Sequence, residues 1–470
     1  LPLYTLICHL CMFYSSPSRP LYALTTFLFT APATTEIYTL SLHDALPIWK
    51  EKSMTYTLRS LGRFGLGITA AAAMCLSLPV GVAAVEEDSL VQALVDGKPI
   101  VDVRLRYEHV DQAGIPNNAD ATTLRARLGY ETGTYADFSF LVEGEFVIGL
   151  GSEDYNDTIN GRAAFPVVAD PEDQQLNRAQ LTYRGVPDTA IIVGRQRVIL
   201  DNARFVGNVG WRQNEQTFDA AVIATTFIPN TTVTYGYVDQ INRIFGTDSA
   251  VGRLDTSTHL INAKFTGFDN IELGTYAYLL DVDRAAAAST ATYGVRASGK
   301  FDLVENASLG LSGEYAHQSD RANNPRNVSL DYYRTEASLG YEGMAGLVGY
   351  EVLEGDGTVG FGTPLATLHA FQGWADVFLA TPAGGIEDLY IKGAYNAGPV
   401  FGLAGLSGAI VYHDFEGERA GGDLGTEWDA VVTAKIDSHF AATAKYATYD
   451  GPTGGPADRD KVWFQIDYKY

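Results

Sequence analysis

The sequence has little cysteine and lacks long apolar runs after its first part. Its three cysteines, Cys8, Cys11 and Cys75, all precede residue 76 of the 470 residues. The later chain therefore has no disulfides, so a fold exported without them must be stabilised in another way. After residue 84 no apolar run reaches the roughly 18 residues of a transmembrane helix. A membrane protein of this composition would have to cross the bilayer with strands.

Catalytic and metal-binding signatures are also lacking. The six histidines after residue 84 are scattered, and none belongs to a nucleophile elbow or a paired-histidine helix. The acidic, glycine-rich loops lack the ligand spacing of a calcium loop. The formal net charge of −23 disfavours nucleic acid as a partner, because an acidic surface repels phosphates. We expect no enzymatic activity, no cofactor and no resident metal.

The first 53 residues do not resemble the rest of the chain. The stretch Thr35–Ile48 resembles translated adapter sequence from a badly assembled reading frame. Residues 1–53 also lack steady periodicity, so we exclude them from the fold. A genuine extension is the alternative.

Residues 54–84 are predicted to be a secretory signal peptide. Met54 is followed by the basic residues Arg59 and Arg63, an apolar stretch, and small residues at the predicted cleavage site after Ala84. Lipidation of Cys75 fits less well, because the apolar stretch continues past it. Cleavage would leave residues 85–470 as a single domain.

The residues from Val462 to Tyr470 alternate between apolar and mostly polar side chains. This alternation indicates a strand with one apolar and one polar face, and a final aromatic residue is typical of an outer-membrane barrel. The pattern recurs along the chain and predicts eighteen strands, with sixteen as the alternative count. They begin near Pro99, Ala121, Tyr135, Leu176, Asp188, Gln216, Thr231, Thr256, Asn270, Thr292, Asn306, Ser329, Met344, Glu387, Gly405, Thr426, His439 and Lys461.

The predicted connections alternate between long loops and tight turns, as in outer-membrane barrels. We place the ambiguous segment Leu365–Leu379 in a long loop, because a nineteenth strand would break this alternation. The pattern predicts an all-β fold, a transmembrane antiparallel β-barrel in the outer membrane of a Gram-negative bacterium. Both termini would lie in the periplasm. A soluble β-sandwich or β-helix is the alternative.

The same alternation predicts which charges face the lumen. A basic charge on the lipid face costs about 2–4 kcal/mol at midplane, so the apolar side of each strand should face lipid. This rule turns sixteen basic and twelve acidic side chains inward and leaves the loops strongly acidic. The arginines predicted to line the pore from the strands are Arg104, Arg106, Arg125, Arg127, Arg178, Arg184, Arg195, Arg197, Arg296 and Arg334.

Most of these arginines belong to the early strands, which predicts a basic lining on one side of the barrel, facing Glu143 and Glu145. Two interpretations of the lining remain open. The arginines could pair with inward carboxylates across strands and confer only mild ion preference. Alternatively, surplus guanidinium groups could form a ladder along which an acidic solute moves.

Several long segments resemble the alginate export family of outer-membrane proteins. They are Asp201–Asp219 with the preceding Val193–Arg197, His369–Asp376 followed by Gly385–Tyr390, Arg104–Glu108, and Thr123–Arg127. The resemblance implies an eighteen-stranded monomeric barrel whose arginine-lined constriction passes an anionic uronate polymer outward. It marks as candidates for the selective surface Arg125, Arg127, Arg195, Arg197, Arg204 and Arg212.

The resemblance also implies that Phe205 and Trp211 shape an inward-folded loop; a purely structural wedge against the wall is the alternative. The outer loops and the turns are short for a dedicated polymer exporter. We expect a passive channel that exports an acidic, alginate-like polysaccharide, in contact with outer-membrane lipid and lipopolysaccharide and with a periplasmic export partner. A general or anion-selective nutrient-uptake porin is the alternative. An outer-membrane hydrolase or an adhesin fits less well.

Overall fold

The computed structural model describes residues 89–151, 153–419 and 421–470. The predicted assembly artefact and signal peptide lie outside the described residues. Within these residues, one short helix, α1 (Leu90–Val95), precedes the first strand. Two 3₁₀ turns, Ala286–Ala288 and Leu368–Ala370, occur in the connections. No helix in these described ranges is long and apolar enough to cross a membrane.

Eighteen antiparallel strands pair in sequence order, and the first also pairs with the last, which closes the barrel. This confirms the predicted all-β barrel and excludes the sixteen-strand alternative. The strands are β1 (Lys98–Gln112), β2 (Ala119–Glu131), β3 (Phe138–Gly149), β4 (Asp173–Tyr183), β5 (Thr189–Gln196), β6 (Thr217–Thr225), β7 (Thr231–Asn242), β8 (Arg253–Phe268), β9 (Ile271–Leu279), β10 (Thr290–Val304), β11 (Ala307–Asp320), β12 (Ser329–Tyr341), β13 (Met344–Leu353), β14 (Ile386–Val400), β15 (Leu403–Glu416), β16 (Asp423–Lys435), β17 (Phe440–Asp450) and β18 (Arg459–Lys469).

Tight turns join the strands at one end of the barrel and long loops join them at the other. Several tight turns contain residues with positive φ: Asp188, Asn230, Asn270 and Asn306 have φ between 55° and 62°. Asn and Asp adopt this backbone region more readily than other residues with a side chain, which explains their place in these turns. The segment Leu365–Leu379 lies in a long loop, as predicted.

The two faces of the wall differ in chemistry. Leu105, Val193 and Ile410 are exposed on the outer face, whereas the neighbouring Arg104 and Arg106 are buried inside. This alternation gives the barrel an apolar outer surface and a polar inner surface.

Two long loops fold into the lumen and fill much of the long-loop end. They are the β5–β6 loop, residues 197–216, and the β13–β14 loop, residues 354–385. Their apolar side chains form a continuous core with inward side chains of the wall. Members of this core include Phe205, Val206, Trp211, Tyr276, Tyr332, Phe361, Trp374, Phe378, Phe415, Tyr449 and Trp463.

Candidate functional site

The two lumen loops form a single unit. The Gly207 N–H donates to the Leu365 carbonyl at 2.8 Å, and the Thr367 N–H donates to the Ala203 carbonyl at 3.0 Å. The Gln216 side-chain amide donates to the same Leu365 oxygen at 3.1 Å. Because the loops share backbone hydrogen bonds, a displacement of one loop must disturb the other.

Arg204 connects this unit to the wall on one side. Its Nε donates to Glu351 Oε1 of β13 at 2.7 Å, and its Nη2 donates to Gln372 Oε1 of the β13–β14 loop at 3.0 Å. The guanidinium also lies 4.6 Å from the centre of the Phe371 ring. Arg204 is buried, so it contributes to holding the loops and is not exposed to the lumen.

Arg212 makes the equivalent connection on the other side. Its guanidinium lies 3.0 Å from both Glu108 of β1 and Asp376 of the β13–β14 loop, and 3.5 Å from Asp170. Lys461 Nζ completes the network at 3.2 Å from Glu108 and 2.7 Å from Asp376. Although burial raises the pKa of Asp376, the hydrogen-bonded His369 and the facing Lys461 and Arg212 hold it well below its usual range.

An aromatic box lies next to this network. Lys445 Nζ lies 3.7 Å from the centre of the Trp374 ring and 4.3 Å from that of Trp211. His369 stacks on Trp211 with ring centroids 4.3 Å apart. His369 Nδ1 is 2.7 Å from Asp376 Oδ1, and Nε2 is 2.6 Å from Lys445 Nζ.

A neutral histidine satisfies both hydrogen bonds of this box. Burial and the nearby Lys445 lower the pKa of His369 to about 3, against the opposing effect of Asp376. The neutral ring donates from Nδ1 to the carboxylate and accepts from the ammonium at Nε2.

The aromatic residues predicted to shape the loop pack against the wall. Phe205 lies 5.2 Å, between ring centroids, from both Tyr276 of β9 and Tyr332 of β12. Trp211 meets Trp463 of β18 edge to face at 5.6 Å. Both therefore act as wedges that fix the path of the loop.

Four predicted pore-lining arginines of β1 and β2 are buried beneath the β5–β6 loop: Arg104, Arg106, Arg125 and Arg127. Three of them bond carboxylates of neighbouring strands: Arg104 bonds Asp467, Arg125 bonds Asp102, and Arg127 bonds Glu145. Arg104 Nη1 also donates to the carbonyl groups of Gly210 and Trp211, both at 3.1 Å. Arg106 donates to Gln465 and lies 4.0 Å from the centre of the Trp211 ring.

The arginines of β4, β5 and the following loop residue are more accessible but are also paired. Arg178 lies 2.8 Å from Glu143, Arg195 lies 2.6 Å from Asp219, and Arg197 lies 2.6 Å from Glu215. Arg334 of β12 lies 2.6 Å from Glu336. These contacts agree with the first interpretation of the lining, in which arginines pair with carboxylates.

Arg184 departs from the prediction that it lines the pore. It lies one residue beyond β4 and is exposed in the turn towards β5, where its backbone N–H donates to the Asp137 carbonyl at 2.9 Å. The following Gly185 and Pro187 end the strand, because proline has no N–H for a ladder hydrogen bond.

A different set of basic residues remains accessible in the lumen. They lie on β8, β10, β14 and β16, face inward, and are half-buried or exposed: Lys264, Arg296, Lys300, Lys392 and Lys435. Lys264 Nζ lies 3.2 Å from Glu272. Among the described residues the other four have no carboxylate oxygen within 4 Å.

The wall around these groups carries small side chains. Lys300 and Lys392 lie in one register row across β10 to β14, separated by Gly310, Ser338 and Leu347. Glycine and serine leave space in front of the wall beside Lys300, which is exposed, and Lys392, which is half-buried. In the ranges that the structure describes, no group of three or more His, Cys, Asp or Glu side chains could hold a metal ion.

Sequence reasoning did not identify the carboxylates that hold the loops. Glu351 is 147 residues from Arg204, and Asp376 is 164 residues from Arg212. No local motif relates such distant residues. Lys300, Lys392 and Lys435 had a usable signal, since the residues paired with them on the neighbouring strands carry no acidic group.

Solved structures of known proteins are similar to this chain in fold. No protein-family model and no curated protein matches the chain, so the resemblance to the alginate export family is not confirmed. The chain is similar to the crystal structure of Pseudomonas aeruginosa OpdK with vanillate, with a TM-score of 0.63 and 15% identity over 80% of this chain and 99% of that one.

Two further Pseudomonas aeruginosa structures are similar. OpdQ gives a TM-score of 0.63 and 16% identity over 81% of this chain and 99% of its own. OccK9 (OpdG) gives a TM-score of 0.64 and 14% identity over 80% of this chain and 100% of its own. The neighbours are outer-membrane porins, which are channels and not enzymes. At these identities the likeness shows the barrel fold alone.

Proposed function

We propose that this protein is an outer-membrane porin through which small anionic solutes enter the cell by passive diffusion. Its tight turns and both termini lie in the periplasm, and its long loops face the outside. It works as a monomer in contact with outer-membrane lipid and lipopolysaccharide. The barrel fold, its apolar outer face and the similar porins support this location.

The observation that carries the proposed selectivity is the accessible basic wall. Arg296, Lys300 and Lys392 face the lumen with no carboxylate within 4 Å among the described residues. A cation with no carboxylate in contact with it, in a confined, low-dielectric passage, raises the local concentration of anions. Each contact is with a single cation, so it attracts a solute without retaining it.

Two features favour a small solute over a polymer. The lumen loops occupy the long-loop end, and the arginines that hold them already bind carboxylates. A polyuronate would have to compete with these intramolecular ion pairs or displace both loops. The similar porin OpdK was crystallised with vanillate, a small aromatic carboxylate, which supports uptake of solutes of this class.

The test is the zero-current potential of residues 85–470 in a planar bilayer across a salt gradient. The wild-type protein should favour anions, and the triple variant R296Q/K300Q/K392Q should lose this preference several-fold. A matched control neutralises three arginines of the long loops, namely Arg162, Arg326 and Arg419. If both triple variants behave alike, the accessible basic wall does not set selectivity.

The same bilayer distinguishes small solutes from polymers. Benzoate should carry current, whereas uronate oligomers should neither cross nor block the channel from the periplasmic side. Transient, length-dependent blocks by these oligomers would favour the export of an acidic polysaccharide and would contradict the proposal for small solutes.

A further inference from the structure

The short helix α1 carries an apolar stripe that no described residue covers. Ser89 caps its first turn, accepting a hydrogen bond from the Gln92 N–H at 3.1 Å. The helix then presents four apolar side chains that are 41% to 67% exposed: Leu90, Val91, Leu94 and Val95. Their spacing at i, i+1, i+4 and i+5 places them on one face.

The helix lies on the outer side of the barrel at the tight-turn end. Inward and outward residues alternate along β2, and Arg125 and Arg127 are buried on the inward side. Tyr130 has the opposite parity and therefore points outward. The Tyr130 hydroxyl donates to the Leu94 carbonyl. The N–H of Gly133, in the β2–β3 turn, donates to the Ala93 carbonyl at 2.7 Å. The carbonyl groups at the C-terminal end of α1 are thus attached to the wall and to the adjoining turn.

The neighbouring outer surface carries large aromatic and apolar side chains. Phe138 and Phe140 of β3 are exposed on it, and Phe138 lies 4.6 Å, between ring centroids, from Tyr183 of β4. Such outward aromatic residues at strand ends form the girdle that marks the boundary between lipid and water. The stripe of α1 and this girdle lie on the same outer side of the barrel, at the tight-turn end.

We propose that α1 is an interfacial anchor whose apolar stripe lies in the boundary between headgroups and acyl chains at the tight-turn end. The inference rests on the proposed membrane location of the barrel. An amphipathic helix buries its apolar face at this depth while its polar side stays in water. A protein partner fits the stripe poorly, because a stable interface uses about 20–30 residues a side, and α1 offers four.

Spin labels test this directly, because residues 85–470 contain no cysteine. These residues include every strand of the closed barrel, so the labelled protein retains the described fold. Single cysteines replace Val91 and Val95 on the stripe and Gln92 on the opposite side. Ile410→Cys serves as a lipid-exposed reference, and Ser438→Cys in a tight turn serves as an aqueous reference.

Accessibility to oxygen, relative to a water-soluble nickel chelate, is then measured in lipid vesicles. The labels at Val91 and Val95 should resemble that at Ile410 and exceed the Gln92 label several-fold. Values like that of Ser438 would overturn the anchor, and so would labels shielded from both reagents. If the Ile410 label itself is aqueous, the membrane location fails together with the inference. If only the stripe labels are aqueous, the inference alone fails.

Discussion

Replacing Arg212 with methionine should release the lumen loops while leaving the wall intact. Methionine keeps an unbranched side chain in the same space but removes the guanidinium. In the wild-type network Arg212 and Lys461 hold Glu108 and Asp376, and Arg212 also approaches Asp170. The variant leaves an uncompensated buried carboxylate, because the number of local cations falls by one.

The magnitude follows from the burial of this network. Removal of one partner from a buried ion pair costs about 3–5 kcal/mol, whereas an exposed pair is worth about 0–1 kcal/mol. The loss should weaken loop docking by a factor of about 10² to 4 × 10³, since 1.4 kcal/mol corresponds to tenfold. The control is Arg162→Met, because Arg162 contacts Glu153 at 2.9 Å on the surface, with side chains 37% and 67% exposed.

Hydrogen exchange provides the measurement. The Gly207 and Thr367 amides join the two loops, and their exchange reports how often the unit opens. Both amides should exchange about 10² times faster or more in R212M, and single-channel current should become noisier. Wall amides such as that of Leu105 should keep their protection. Unchanged exchange at Gly207 and Thr367 in a folded R212M barrel would refute the role assigned to Arg212.

Two further predictions concern the β13–β14 loop. His369 is neutral when the loop is docked, with a pKa of about 3, and has its ordinary pKa of 6.5 when released. Its contribution to docking is therefore fully present above pH 6.5 and is lost as pH falls towards 3. The frequency of loop opening, measured by hydrogen exchange, should rise by up to about tenfold between pH 6 and pH 5. H369Q should abolish this dependence on pH, and an equal dependence in H369Q would exclude His369 as its source. Gly373 has φ of 81°, and an added Cβ would clash with the Glu427 carboxylate, so G373A should destabilise loop docking by about 1–3 kcal/mol. The control is G384A, because a Cβ added at Gly384 meets nothing within 4 Å; equal exchange in the two variants would contradict this clash.

The strands of the wall could be predicted from the sequence because the features that determine them are local. Alternation, turn residues and the cost of charge in lipid act within about ten residues, and each strand begins within three residues of its prediction. The turn after Tyr183 shows the limit, since alternation continued through Arg184 although Pro187 ends the strand. Strand ends depend on turn chemistry as well as on parity.

The interior was less readable because its determinants are not local. The rule that the apolar side of each strand faces lipid predicts that Arg125 and Arg127 point inward. It carries no information on what covers them. Their burial depends on a loop that begins seventy residues later and returns across the lumen to contact β1, β2 and β18. The paired arginines of the early strands therefore belong to the support of the loops.

The choice of basic residue follows this division of roles. A guanidinium is weakly hydrated and bonds carboxylates through a planar fork, so it suits buried ion pairs such as those of Arg204 and Arg212. An ammonium is strongly hydrated and acts as a point charge, which suits a brief contact with a passing anion at Lys300 or Lys392. Replacing Lys300 with arginine should therefore lengthen anion contacts and lower the single-channel current carried by benzoate. An unchanged current would mean that solute does not reach this side of the wall.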